Sequence, residues 1–206
     1  MMRSTIFALA CALLAFAPAL PAQAAPVSTP LTPHVGSPIA YRVQLPKGWN
    51  IQQEGEFLGA ATGDAMVAVA ASDVMAGEES GLPVGEAEAR RIMSNMILGS
   101  DSLMFAMLNE MLKGFQEDGS ELQDVVREVR TFAGERSGYL SGRSMDLLDK
   151  PARVEVHFTI KDGVVYALVF AATEARFAAY QPLFARVRDS FAFPAAPPAP
   201  GGKGKP

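Results

Sequence analysis

The residues able to carry chemistry are few. Histidine occurs at 34 and 157 only, and Cys11 is the only cysteine. A general base of the common kind therefore has two candidates. His34 sits in a Pro-rich stretch, where a lone imidazole is ordinarily solvated. His157 falls on the polar side of an alternating run, which suits a solvated or hydrogen-bonded ring better than a catalytic one. No G-x-S-x-G, S-x-x-K or H-E-x-x-H pattern occurs. Asp146 and Asp149 are close in sequence, but proximity near a strand end does not make an acid/base dyad. Glu78 and Glu79 lack the regular spacing of a calcium loop. Gly201-Gly202-Lys203 lacks the spacing and the strand–helix setting of a phosphate loop. The reading is a non-enzyme with no catalytic, cofactor or metal site; a hydrolase assembled from scattered residues is kept as an alternative.

Binding chemistry is more visible. Ser102–Gln116 carries Leu103, Met104, Phe105, Met107, Leu108, Met111, Leu112 and Phe115, with few polar positions between them. Five of the chain's 10 methionines fall between Met93 and Met111. Methionine-rich surfaces adapt to varied partners or apolar ligands. Met104, Met107 and Met111 are accordingly the expected partner-binding residues, against the plainer reading that they fill gaps over a sheet. Arg127, Arg130, Arg143 and Arg153, with Glu128, Asp146 and Glu155, are expected to line an exposed sheet face in cross-strand pairs. An anion site there is the lesser alternative.

These groups need a frame. In Arg153–Ile160 the residues Val154, Val156, Phe158 and Ile160 alternate with polar ones, which marks a half-buried strand. Asp162-Gly163 tolerates the positive φ values of a tight hairpin. Val164–Phe170 is apolar on both sides, as in a central strand. Phe177, Tyr180, Phe184, Val187 and Phe191 then recur at helical steps, with Pro182 expected to open a second helical piece. Earlier strands are expected at Tyr41–Leu45, around Trp49–Ile51, at Glu56–Thr62 and at Asp64–Ser72. Asp73–Gly85 reads as a loop. Helices are expected at Glu86–Leu98, where Glu86 and Arg90 are spaced for a salt bridge, and at Ser102–Gln116. Asp124–Phe132 and Tyr139–Leu148 read as strands around a turn at Gly134–Gly138. The single Trp49 is expected in the core.

The N-terminus has the pattern of a secretory signal: Arg3, the apolar run Ile6–Ala17, then Ala22-Gln23-Ala24. Residues 1–24 are expected to be removed, with cleavage between Ala24 and Ala25. The apolar run is too short to span a bilayer. Ala8-Leu9-Ala10-Cys11 is a poor lipoprotein box, so anchoring through Cys11 is not favoured. Without residues 1–24 the chain has no thiol, and 17 basic residues face 22 acidic ones, so the formal charge goes from −4 to −5. That balance argues against nucleic acid and anionic membranes as partners. Residues 25–38 read as a Pro-rich linker, 39–193 as one domain and 194–206 as a disordered Pro/Ala/Gly tail.

Tyr41-Arg42-Val43-Gln44-Leu45-Pro46-Lys47-Gly48-Trp49 resembles the N-terminal strand and turn of the PsbP-like superfamily, including DcrB-type bacterial exported proteins. Asp162-Gly163, Tyr166–Phe170, Phe177, Tyr180, Pro182, Phe184 and Ser190-Phe191 resemble its C-terminal strand and helix. The resemblance implies an α+β fold: an antiparallel sheet of about six or seven strands sandwiched by helices. It also implies an accessory, assembly or chaperone-like role. No matched residue carries over a metal site or a GTPase-binding face, and fold alone does not fix function. The expectation is thus an exported, periplasmic accessory protein that binds another protein or peptide in the cell envelope. A carrier of an apolar small molecule under the Met-rich helices is the alternative.

Overall fold

In the computed structural model the described residues are 28–74, 84–117 and 121–194. The signal segment with Cys11, Ala24 and Ala25, the pair Glu78-Glu79, and the tail beyond 194 lie outside them. Nine strands and three helices are formed by the described residues: β1 (Leu31–Val35), β2 (Arg42–Pro46), β3 (Asn50–Glu54), β4 (Phe57–Thr62), β5 (Ala65–Asp73), α1 (Glu86–Leu98), α2 (Asp101–Glu117), β6 (Leu122–Phe132), β7 (Glu135–Ser144), β8 (Ala152–Lys161), β9 (Val164–Thr173) and α3 (Glu174–Ser190).

Seven strands form one antiparallel sheet in the order β3-β4-β5-β9-β8-β7-β6. β9 is central and buried over most of its length, as a strand apolar on both sides must be. The hairpin that joins it to β8 turns at Asp162 and Gly163, whose φ values are 51° and 77°. That geometry explains the Asp-Gly pair. The Gly163 amide donates to Ser94 Oγ at 2.9 Å, which ties α1 to the hairpin. Arg90 of α1 reaches Asp73 at 2.7 Å and Glu86 at 2.9 Å.

The period of two sorts the apolar residues into two cores. Val154, Val156 and Phe158 of β8 face α1 and α2, where they meet Met104, Met107, Leu108, Met111 and Phe115. Val67, Val69, Leu168 and Phe170 face the other way, toward α3 and the β1–β2 hairpin. The expected ridge of α3 and the residue that follows it is buried: Phe177, Tyr180, Phe184, Val187 and Phe191 are all at most 5% exposed. Phe184 stacks on Phe170 at 4.8 Å and on Tyr180 at 5.8 Å. Each such burial contributes roughly 1.5–3 kcal/mol. That sum outweighs the cost of a proline, and α3 runs through Pro182 as one helix instead of the two pieces expected.

Two other expectations are corrected, at residues 31–35 and at the β6–β7 turn. Residues 31–35, read as linker, form a strand that pairs antiparallel with β2 over all five positions. Composition misleads there because Pro33 and its neighbours occupy an edge strand, where a missing N–H is tolerated. The turn between β6 and β7 is Ala133-Gly134, with φ values of 51° and 84°. β7 therefore starts at Glu135, inside the expected turn. Trp49 is packed against the α3-side core, its ring 5.9 Å from that of Tyr180.

Candidate functional site

Two surfaces gather the chemistry-bearing side chains. The first is the part of the sheet face beside α3 that belongs to β6, β7 and β8. His157 is opposite Leu168 on one side and Tyr139 on the other, and Tyr139 is opposite Glu128. Since Leu168 lies in the α3-side core, all four point that way. The same alternation brings Arg130, Ser137, Ser141, Arg143, Arg153 and Glu155 to this face. Five of the seven charged residues expected to share a sheet face therefore do so: Arg130, Arg143, Arg153, Glu128 and Glu155. Arg127 points to the other face, where its guanidinium donates to Asn109 of α2. Asp146 lies in the loop after β7 and accepts from Ser144 Oγ at 3.1 Å.

Ionic and cation–π contacts neutralise most of these charges locally. Arg130 pairs with Glu128 at 2.8 Å and lies 3.4 Å above the Tyr139 ring. Tyr139 donates its hydroxyl to Glu155 at 3.0 Å. Burial raises the Tyr139 pKa, and the Glu155 carboxylate adds to that effect. Arg143 bridges Glu174 at 2.8 Å and Asp124 at 3.4 Å. The arrangement is one of cross-strand pairs rather than an anion site.

His157 departs from the solvated or hydrogen-bonded ring expected of it. It is 3% exposed, with Phe132, Tyr139 and Phe170 ring centroids 5.9, 5.1 and 6.2 Å away. Its Nδ1 is buried without a hydrogen-bond partner, as is the hydroxyl of Ser137. Burial pushes its pKa down to about 4, and the positive charges of Arg188 and Arg130 act in the same direction. The imidazole is thus neutral at physiological pH. Among the described residues no serine hydroxyl is hydrogen-bonded to it, so a nucleophile–base pair is not assembled.

The second surface is a cleft of about 690 Å³ at one end of the sheet, lined by Asp64, Lys150, Pro151, Thr173, Glu174, Ala175 and Arg176. Asp64 is buried beneath it. Its carboxylate accepts the Tyr180 hydroxyl at 2.6 Å and stands 3.6 Å from Arg176 Nε. Its main-chain carbonyl accepts the Thr173 amide at 2.9 Å. Two cations and two carboxylates line the cleft, so it favours neither sign of ligand. Asp146 and Asp149 do not form a dyad: the Asp149 amide closes a turn on the Asp146 carbonyl at 2.9 Å. Among the described residues no group of three or more His, Cys, Asp or Glu side chains could hold a metal ion. No helix among them is long and apolar enough to cross a membrane.

The Met-rich helix faces inward with the residues expected to face outward. Met104, Met107 and Met111 are 0%, 5% and 5% exposed, packed in the core shared with β8. The signal for this was present in the spacing: 104, 107, 108, 111 and 115 form one stripe at steps of three and four. The large apolar side chains exposed on this layer are Met96, Leu103 and Phe105, at 61%, 42% and 36%. They lie around the α1–α2 corner, outside the buried stripe.

No protein-family model and no curated protein matches the sequence. Several solved structures are similar. One is PA94 from Pseudomonas aeruginosa, a protein of unknown function: 10% identity, 81% of this chain and 99% of that chain covered, TM-score 0.44. LpqN, involved in cell envelope biogenesis of Mycobacterium tuberculosis, is 11% identical over 80% of this chain and 91% of its own, with a TM-score of 0.38. The cyanobacterial PsbP (CyanoP) from Synechocystis sp. PCC 6803 is 14% identical over 87% of this chain and 99% of its own, with a TM-score of 0.42. A PsbP protein is thus among the solved structures that this chain is similar to.

Proposed function

We propose that this chain is an exported accessory protein without a catalytic role, released by cleavage between Ala24 and Ala25, that binds another protein or peptide in the cell envelope. The observation that carries the reading is the α1–α2 corner, where Met96, Leu103 and Phe105 remain exposed although α2 has already committed a full stripe to the core. Large apolar side chains left exposed beside a turn between helices are candidate contact points. The carrier alternative needs room beneath these helices, where Met104, Met107, Leu108 and Met111 pack in the core. The hydrolase alternative would draw on a general base, and His157 is withdrawn from that role by its burial.

The test is site-specific photo-crosslinking in the exporting cell, with the crosslinking residue at Leu103. A discrete adduct is expected, and it should disappear when Met96 and Phe105 are both changed to Ser. Circular dichroism of the purified variant confirms that it folds. An adduct that persists in the double variant, or an exported chain that forms none, overturns the assignment of this corner.

A further inference from the structure

Among the described residues β6 is the outermost strand of the seven-stranded sheet and pairs only with β7. Among the described residues no strand pairs with the other side of its backbone, whose N–H and C=O groups are a template for another strand. The pairing with β7 shifts between Gln123 and Val126 and is regular from Val126 to Phe132. That regular stretch has Val129 at its midpoint.

We propose that β6 is a self-association edge, on which two copies of this chain pair antiparallel about a two-fold axis through Val129. The sequence along the strand argues for a second copy, and for one register. A two-fold axis normal to the sheet keeps the like faces of the two copies together, so it passes through a single residue. Centred on Arg127, Glu128 or Arg130, it would set identical charges directly opposite each other, which is destabilising. Centred on Val129, it sets Glu128 opposite the partner's Arg130 and Arg130 opposite the partner's Glu128. These four groups share the α3-side face, and Glu128 and Arg130 already touch within one chain at 2.8 Å. The pairing closes them into a ring of alternating sign. Val126, 45% exposed in the single chain, then lies opposite Phe132 of the second copy. The charges that bar the registers centred on Arg127, Glu128 and Arg130 thus admit this one, and it coincides with the midpoint set independently by the irregularity at Gln123/Val126. This inference does not rest on the partner-binding corner at Met96, Leu103 and Phe105, and either can fail without the other.

Sedimentation velocity and thiol crosslinking test it on the full exported chain. The wild type is expected to sediment as a dimer. Glu128→Arg should weaken association about tenfold or more, because two attractive pairs become repulsive. Adding Arg130→Glu should restore it, since the ring is rebuilt with its signs exchanged. Val129→Cys, in a chain from which Cys11, the only cysteine, leaves with residues 1–24, should give a disulfide-linked dimer under mild oxidation. Arg127→Cys should not, because its copies lie too far apart in this register. A wild type that stays monomeric up to about 1 mM, beyond which association is weaker than roughly −4 kcal/mol, overturns the proposal. So does a dimer that crosslinks through position 127 in preference to 129. The cysteine variants read the register even if Glu128→Arg proves too unstable to purify.

Discussion

Replacing His157 by Phe should change how the protein's stability responds to acid. In the folded chain the ring is enclosed by Phe132, Tyr139 and Phe170, and its pKa falls from the usual 6.5 to about 4. The unfolded chain keeps the usual value. Between these limits the unfolded state binds more protons than the folded one, so stability falls as the pH falls. Above about 6.5 neither state is protonated there and the full contribution is present; below about 4 both are, and the loss is complete. At about 1.4 kcal/mol for each tenfold change in proton affinity, the loss amounts to about 3 kcal/mol. His157→Phe removes that titration and the unpartnered Nδ1 with it, while keeping an aromatic ring among aromatic rings. Other groups titrate in the same range, so the measurement is the difference between wild type and variant. Urea unfolding followed by Trp49 fluorescence at pH 8, 7, 6, 5 and 4 supplies it. The difference should be flat above neutrality and should grow by about 3 kcal/mol in favour of the variant toward pH 4. Two curves that run parallel from pH 7 to pH 4 would refute the claim that His157 is desolvated in the folded state.

Two further outcomes follow from buried contacts. Tyr180→Phe removes the 2.6 Å donor to Asp64 and leaves a buried carboxylate with one partner fewer; it should lower stability by about 1–3 kcal/mol, read as a reduced urea midpoint with unchanged slope. Gly138→Ala puts a Cβ into the ring of Phe158, which is fully buried; the overpacking should cost about 1–3 kcal/mol, seen as a drop in melting temperature by circular dichroism.

The fold was legible where local pattern and tertiary need agree. The β8–β9 hairpin, both helices before β6 and the ridge of α3 follow from periodicity and one Asp-Gly pair. The reading failed where tertiary packing overrides local preference. Pro182 reads as a break, yet the aromatic side chains on either side of it fill one core and hold the helix continuous. Pro33 reads as linker, yet β1 needs only β2 as a neighbour. The polar face was half legible: the residue types were apparent, but only the register of β6, β7 and β8 shows that Arg127 leaves the group and that His157 is sealed within it. The helix with the most methionines was found, and its inward and outward sides were confused because residue type was weighed above position.

The β1–β2 hairpin is fastened to the far end of the chain. Arg42 and Ala192 exchange main-chain hydrogen bonds at 2.9 Å in each direction, and the Gln44 amide reaches Ser190 Oγ across 146 residues of sequence. Tyr41 stacks on Phe191 at 5.7 Å. A chain emerging vectorially from a ribosome therefore presents Tyr41, Val43 and Leu45 first and their covering partners last. That half of the core cannot seal until Phe191 is out, so the domain matures only after nearly its whole length has been delivered. Until then its earliest strands are the ones that need shielding.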